Sequence, residues 1–364
     1  MAKIFGDLAT RPDMQDQLAS KDVPEFLYDS LSKFAKDPEL QVNTAYANRK
    51  LVNNQHPENI DKMLKTQYLG LASTYLLSNP DNHDLADYVD DTIIECTYQK
   101  NNKQRVQDFK VGDKIIKVLE YFSRPENYNP ELCEKCLKVL GNLTFESKNN
   151  ERLANSDITP ALIQTLKTSQ IDPQQAALIL GVLGNMSFQY NPPTLAKIVN
   201  DGAISVYAAC LEHFDKVNNL PLFLMTVDGL SNIAHNSEIC KVISGFDLIP
   251  PILRCLKAHQ DDSDICYKLS RCLYRLCNDD DVRQQVIDKN GHEPIIQTTN
   301  NQFEHDGTLL NCLRLANRLS EVKDPELFEE IFNAGIPNVI LKKWTPEVKD
   351  PHNIEILKLL TAMN

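Results

Sequence analysis

Three asparagines recur in one local pattern: Leu140-Gly141-Asn142-Leu143-Thr144, then Leu183-Gly184-Asn185-Met186-Ser187, then Leu230-Ser231-Asn232-Ile233. A carboxamide carries both donors and an acceptor on one short side chain. Spaced about 10 Å apart, as on neighbouring packed helices, such amides can pair with the main chain of an extended peptide or tie each helix to the next. The same register further on holds Arg275 and Arg318, with Arg271 and Arg314 one helical turn earlier, so each pair is (i, i+4). Four guanidinium groups on one surface would attract a carboxylate- or phosphate-rich segment and hold it through charge-assisted forks. The competing expectation is a solvated face neutralised by nearby acids such as Asp279, Asp280 and Asp281.

Catalytic chemistry finds less support. Cys133-Glu134-Lys135-Cys136 is a CxxC, but it lies in a helical pattern with no second pair at metal spacing and no βαβ context. The eight histidines are scattered and form no HExxH, and no P-loop, GxSxG or GxGxxG occurs. Acidic runs such as Asp90-Asp91 read as loops or helix starts. The expectation is a non-enzymatic protein with no metal and no cofactor.

The elements that must position these residues follow from a repeat. The apolar residue after each Asn-type position recurs at Leu8, Leu51, Cys96, Leu143, Met186, Ile233, Leu276, Leu319 and Ala362, at spacings of 43 to 47 residues. Three positions earlier runs a second ladder, Phe5, Asn48, Ile93, Leu140, Leu183, Leu230, Leu273, Ala316 and Leu359, interrupted only by Asn48 as a polar member. Apolar pairs three apart on one face are what a helix needs to pack on its neighbours. A self-similar period of this length signals stacked supersecondary units. Gly202, Gly245, Gly291 and Gly335 each precede a short apolar helix, with Pro250, Pro251, Pro294 and Pro337 in or near its first turn. Gly is expected there to supply the sharp C-terminal turn. Asp172-Pro173 and Asp262-Ser263-Asp264 then open a longer third helix.

A unit of about 43 residues, with Gly junctions and Leu-x-Asn-Leu near the end of its third helix, resembles the armadillo repeat, with HEAT repeats as second choice. The resemblance implies an all-α fold: a right-handed α-solenoid, or superhelix, of three-helix repeats. It covers residues 1–364 as one solenoid of about seven complete repeats, with partial repeats at 1–9 and 346–364, and is clearest over 131–342. It further implies that the stacked third helices line a concave groove, with Asn142, Asn185 and Asn232, then Arg271, Arg275, Arg314 and Arg318, as its peptide-binding residues. Importin-α resembles this design but pairs each groove Asn with a Trp. This sequence has one Trp, Trp344, away from that position, which argues against a receptor for basic import signals.

Composition agrees. With 12 glycines in 364 residues and 7% aromatic residues, helix is the default. A net charge of −12 disfavours duplex nucleic acid and anionic membranes as partners. No basic start precedes an apolar run, and no window approaches 18 consecutive apolar residues, so neither secretion nor a membrane span is expected. Ten cysteines, most at apolar helical positions such as Cys96, Cys210, Cys272 and Cys312, read as buried hydrophobes in a reducing compartment. The chain begins and stops inside a third helix, which predicts that its ends are covered by further chain or by a partner. The expected function is a cytoplasmic protein-protein scaffold holding an extended or acidic segment. The alternatives are a structural subunit of a cytoskeletal or ciliary assembly and a small-GTPase regulator or chaperone-like armadillo protein.

Overall fold

The computed structural model describes residues 1–52, 57–188, 191–322 and 350–362. The Gly335 to Pro337 junction and Trp344 lie outside the described residues. The fold is an all-α solenoid, with no strand among the described residues, and its contacts divide it into two compact units, Met1–Ala203 and Ile204–Asn364.

The first unit opens with α1 (Ala2–Leu8) and continues in triplets of two shorter helices and a third. These are α2 (Pro12–Ser20), α3 (Val23–Lys33) and α4 (Pro38–Leu51), then α5 (Pro57–Lys65), α6 (Tyr68–Ser78) and α7 (His83–Thr97). Next come α8 (Lys100–Asp108), α9 (Val111–Phe122) and α10 (Pro130–Thr144), then α11 (Ser147–Asn155), α12 (Ile158–Thr168) and α13 (Pro173–Phe188), followed by α14 (Pro192–Asn200). The second unit takes up α15 (Ala203–Lys216) and α16 (Leu220–Ile233), then α17 (Ser237–Ser244), α18 (Ile249–Ala258) and α19 (Ser263–Leu276). It ends with α20 (Asp280–Asp288), α21 (His292–Asn301), α22 (Asp306–Ser320) and α23 (Pro351–Ala362).

From α4 to α22, each third helix starts at a side chain that accepts from its first free amides. Asp37 accepts from Leu40 N, Asn82 from Leu85 N, Asn129 from Leu132 N and Asn219 from Leu222 N. Asp172 and Asp262 each accept from two amides, and His305 accepts from Thr308 N. Each cap satisfies donors that have no partner inside the helix. This fixes where each third helix begins, and hence the register of the residues near its end.

Like packs on like in both units. The third helices α1, α4, α7, α10 and α13 form one series of contacts in the first unit, and α16, α19, α22 and α23 form another in the second. The anchors Leu51, Cys96, Leu143, Met186, Ile233, Leu276 and Leu319 are at most 1% exposed, so the ladder read from the sequence is the seam of this packing. Asn48 keeps its place in the second ladder because Nδ2 donates to Thr44 O at 3.0 Å, inside its own helix.

The turn into the second helix corrects the expectation for glycine. A left-handed residue stands just before or at that start in several repeats, but mostly it is not glycine: Asp22, Lys110, Asp157 and Asn290 occupy it, and of the expected glycines among the described residues Gly202 alone does, with φ 98°. Gly245 and Gly291 have right-handed backbones, with φ of −70° and −67°. Asn and Asp tolerate the left-handed region because their short polar side chains bond locally.

Candidate protein-binding face of the third helices

Asn142, Asn185, Asn232, Arg275 and Arg318, each just before an anchor, lie half-buried near the ends of their third helices, and Asn142, Asn185 and Arg275 reach back to the third helix before their own. Asn142 Nδ2 donates to Thr97 Oγ1 at 3.0 Å, joining α10 to α7. Asn185 Nδ2 donates to Gly141 O at 3.1 Å and to Thr144 Oγ1 at 3.4 Å, joining α13 to α10. Asn232 plays the opposite part within the second unit, its Oδ1 accepting from Arg271 Nη2 at 2.8 Å. Each of these amides therefore links consecutive helices. The carbonyl oxygens of Asn142 and Asn185 make no hydrogen bond among the described residues, which leaves an acceptor for a peptide N–H.

The arginines divide into two kinds. Arg314 forms an ion pair with Glu355 at 3.8 Å and lies 5.7 Å from the centre of the Tyr274 ring, and Arg318 pairs with Glu321 at 3.4 Å. Arg271 and Arg275 meet uncharged acceptors only: Asn232 Oδ1 at 2.8 Å, and Ser231 O from Arg275 Nη1 at 2.6 Å. Neither forms an ion pair with a carboxylate among the described residues. Of the aspartates expected to neutralise them, Asp279 caps α20 and Asp280 pairs with Arg283. Burial, then the charge of Arg271, holds the Arg275 pKa below its ordinary value. Burial, then Arg275 and Arg271, likewise lowers that of His235, in the turn before α17.

Other cations that bridge third helices end on acids. Arg49 meets Asp91 at 2.8 Å, Lys135 meets both Asp91 at 2.9 Å and Asp87, and Lys268 meets Asp228. Behind the first cluster, Asp90 is fully buried, with Oδ2 accepting from Cys136 Sγ at 3.4 Å and Oδ1 without a hydrogen bond. Burial pushes its carboxyl up to about 7.

A further row on the first unit escaped the sequence reading. Tyr98, Phe145 and Phe188 each stand three residues after the Asn-type position and are 71%, 56% and 71% exposed. Lys103 lies 4.3 Å from the centre of the Phe145 ring. Their shared offset from the anchor was the available signal. Beside them, Gly184 has open space where a Cβ would stand, and Gly141 has only Val182 at 4.0 Å. Gly229 differs, since a Cβ there would collide with the Tyr207 ring.

Cys133 and Cys136 are buried, and burial raises the Cys133 thiol to about 12, which makes it a poor nucleophile at neutral pH. All ten cysteines are free and nine are buried. Among the described residues no cluster of His, Cys, Asp and Glu could hold a metal ion, and no helix is long and apolar enough to cross a membrane.

The family model described as GAC ARM domain matches residues 96–323, more than half of the chain. No curated protein matches. Two crystal structures, each of an engineered protein, are similar in fold. One has a TM-score of 0.65 at 14% identity, covering 100% of this chain and 94% of the other. The second has a TM-score of 0.55 at 16% identity, covering 69% of this chain and 96% of its own.

Proposed function

The chain belongs to the GAC ARM domain family, and from that premise we propose that it is a non-enzymatic scaffold whose third helices hold an extended, acidic segment of another protein. An armadillo-type solenoid serves protein binding in general. The observation that carries the finer reading is the pairing of Arg271 and Arg275, which end on neutral acceptors where other bridging cations of the third helices end on carboxylates. A cation already held in position, with most of its donors unused, needs little ordering to receive an anion.

On the first unit taken by itself, Asn142 and Asn185 would supply acceptors to a partner's main chain, and Tyr98, Phe145 and Phe188 would cover its side chains. Asn232 would act through Arg271. Arg314 and Arg318 would extend the acidic subsite only by exchanging the carboxylates they now pair with. Ten free cysteines support a reducing compartment, so a cytoplasmic location is part of the same proposal.

The test is capture of the full chain on immobilised acidic peptides of extended sequence. Wild type should be retained, and Arg271→Glu with Arg275→Glu should abolish retention while leaving the helical circular dichroism intact. Retention of the double variant at wild-type strength would remove the reading.

A further inference from the structure

Arg271 and Arg275 stand one turn apart on α19 and reach back to adjacent residues of α16, Asn232 and Ser231, so the two guanidinium groups lie side by side. Each uses one donor of its five-donor fork. His235 follows two residues after α16 and feels both charges. Two guanidinium groups thus stand together, with His235 three residues beyond Asn232, where no carboxylate balances Arg271 or Arg275 among the described residues. A single carboxylate would cancel one charge. A phosphomonoester brings close to two negative charges and three acceptor oxygens, which matches two forks and an imidazole.

We propose that Arg271, Arg275 and His235 receive a phosphoserine or phosphothreonine side chain carried by the extended segment, an inference that rests on the acidic-segment reading above. A protein segment fits better than a lipid surface for two reasons. The basic groups are half-buried between helices, within reach of a single projecting side chain, and the net charge of −12 opposes approach to an anionic membrane.

Binding the dianion favours the protonated imidazole, so His235 takes up a proton with the ligand. The titratable groups acting on the cluster are Arg271, Arg275, Cys272, Tyr274 and Tyr267 of α19. From the helices packed around it, Asp228 of α16 is held by Lys268, Asp279 caps α20, and Arg314 of α22 is paired with Glu355. Affinity therefore rises as pH falls and the imidazole gains its proton, until the phosphate itself begins to lose its second charge near about pH 6.

The experiment uses the full chain and immobilised degenerate pools of extended peptides, identical except for a central phosphothreonine, glutamate or threonine. The phosphothreonine pool is expected to bind about tenfold more tightly than the glutamate pool. Arg271→Gln and Arg275→Gln should each remove about that factor, and His235→Gln should flatten the pH dependence. Arg271→Lys and Arg275→Lys keep the charge and lose the fork, so they test the site even if a glutamine variant fails to fold. Equal binding of the glutamate and phosphothreonine pools, lost together in Arg275→Gln, overturns the phosphate assignment and leaves the acidic-segment reading standing. Retention of no pool overturns both. Preference for vesicles of phosphatidylcholine and phosphatidylserine over every pool, or displacement by inorganic phosphate as effective as by the phosphopeptides, also overturns the assignment.

Discussion

Arg275 donates from Nη1 to the main-chain carbonyl of Ser231 at 2.6 Å, spanning one whole repeat. Ser231 lies in the last turn of α16, where carbonyls lack partners within the helix and the helix dipole is negative. One side chain thus closes the end of one helix while standing on the next. This explains how a guanidinium is held still without a carboxylate. Arg275→Gln is expected to cost about 1 kcal/mol of stability through this lost contact. Arg271→Gln should cost less, because water can replace it at the half-buried Asn232 carboxamide. Urea melts of both variants check the order.

Gly184 separates stability from binding. Alanine should fit, since nothing lies within 4 Å of the position its Cβ would take. Inside a helix the exchange should stabilise the chain by about 0.5–1 kcal/mol. If a partner's main chain lies against this bare stretch, Gly184→Ala should also weaken peptide capture. Higher stability with unchanged capture would mean that the open space serves no partner.

Asp90 sets a pH dependence of stability. Its folded-state pKa is pushed up to about 7, above the ordinary aspartate value, so the native chain holds a proton that the unfolded chain releases. The contribution is complete below about pH 4 and is lost as pH rises through about 7, with a slope of at most about 1.4 kcal/mol per pH unit. Asp90→Asn should flatten that part of the profile and raise stability at mildly alkaline pH. Denaturant midpoints measured from about pH 5 to about pH 8 test the sign. A wild-type stability that rises steadily with pH across this window would contradict it, provided the variant behaves alike.

Phe145 and Phe188 are exposed on the first unit, so Phe145→Ser and Phe188→Ser remove little packing and should change stability by less than about 0.5 kcal/mol. Capture of an extended segment should fall in both. An equal loss of stability and capture would make them core residues instead.

The period, the three-helix unit and the buried anchors were legible in the sequence because each depends on residues close in the chain. Leu143 and Met186 announce a buried helix face through their own neighbours. The direction in which Asn142 or Arg275 reaches was not legible, because Thr97 and Ser231 lie about one repeat away and meet them only once helices stack. For the same reason four similar arginines could not be sorted: Arg314 meets Glu355 and Arg271 meets no acid, a difference set by distant residues. Glycine is the residue the sequence predicts at the left-handed turn; Asp157 and Asn290 adopt it as well, but Asp and Asn equally cap helices, as Asp172 and Asn219 do, so residue type alone does not mark the turn. The aromatic row at Tyr98, Phe145 and Phe188 is visible in register, three residues after the Asn-type position, but its exposure depends on how the helices stack.

The most direct test of the acidic site is the NMR spectrum of the arginine Nε–Hε groups during titration with an acidic extended peptide. Arg271 and Arg275 should shift first and saturate together, while Arg49, held by Asp91, and Arg152, held by Asp113 at 3.0 Å, stay in place. Shifts at the paired arginines with none at Arg271 and Arg275 would contradict the account.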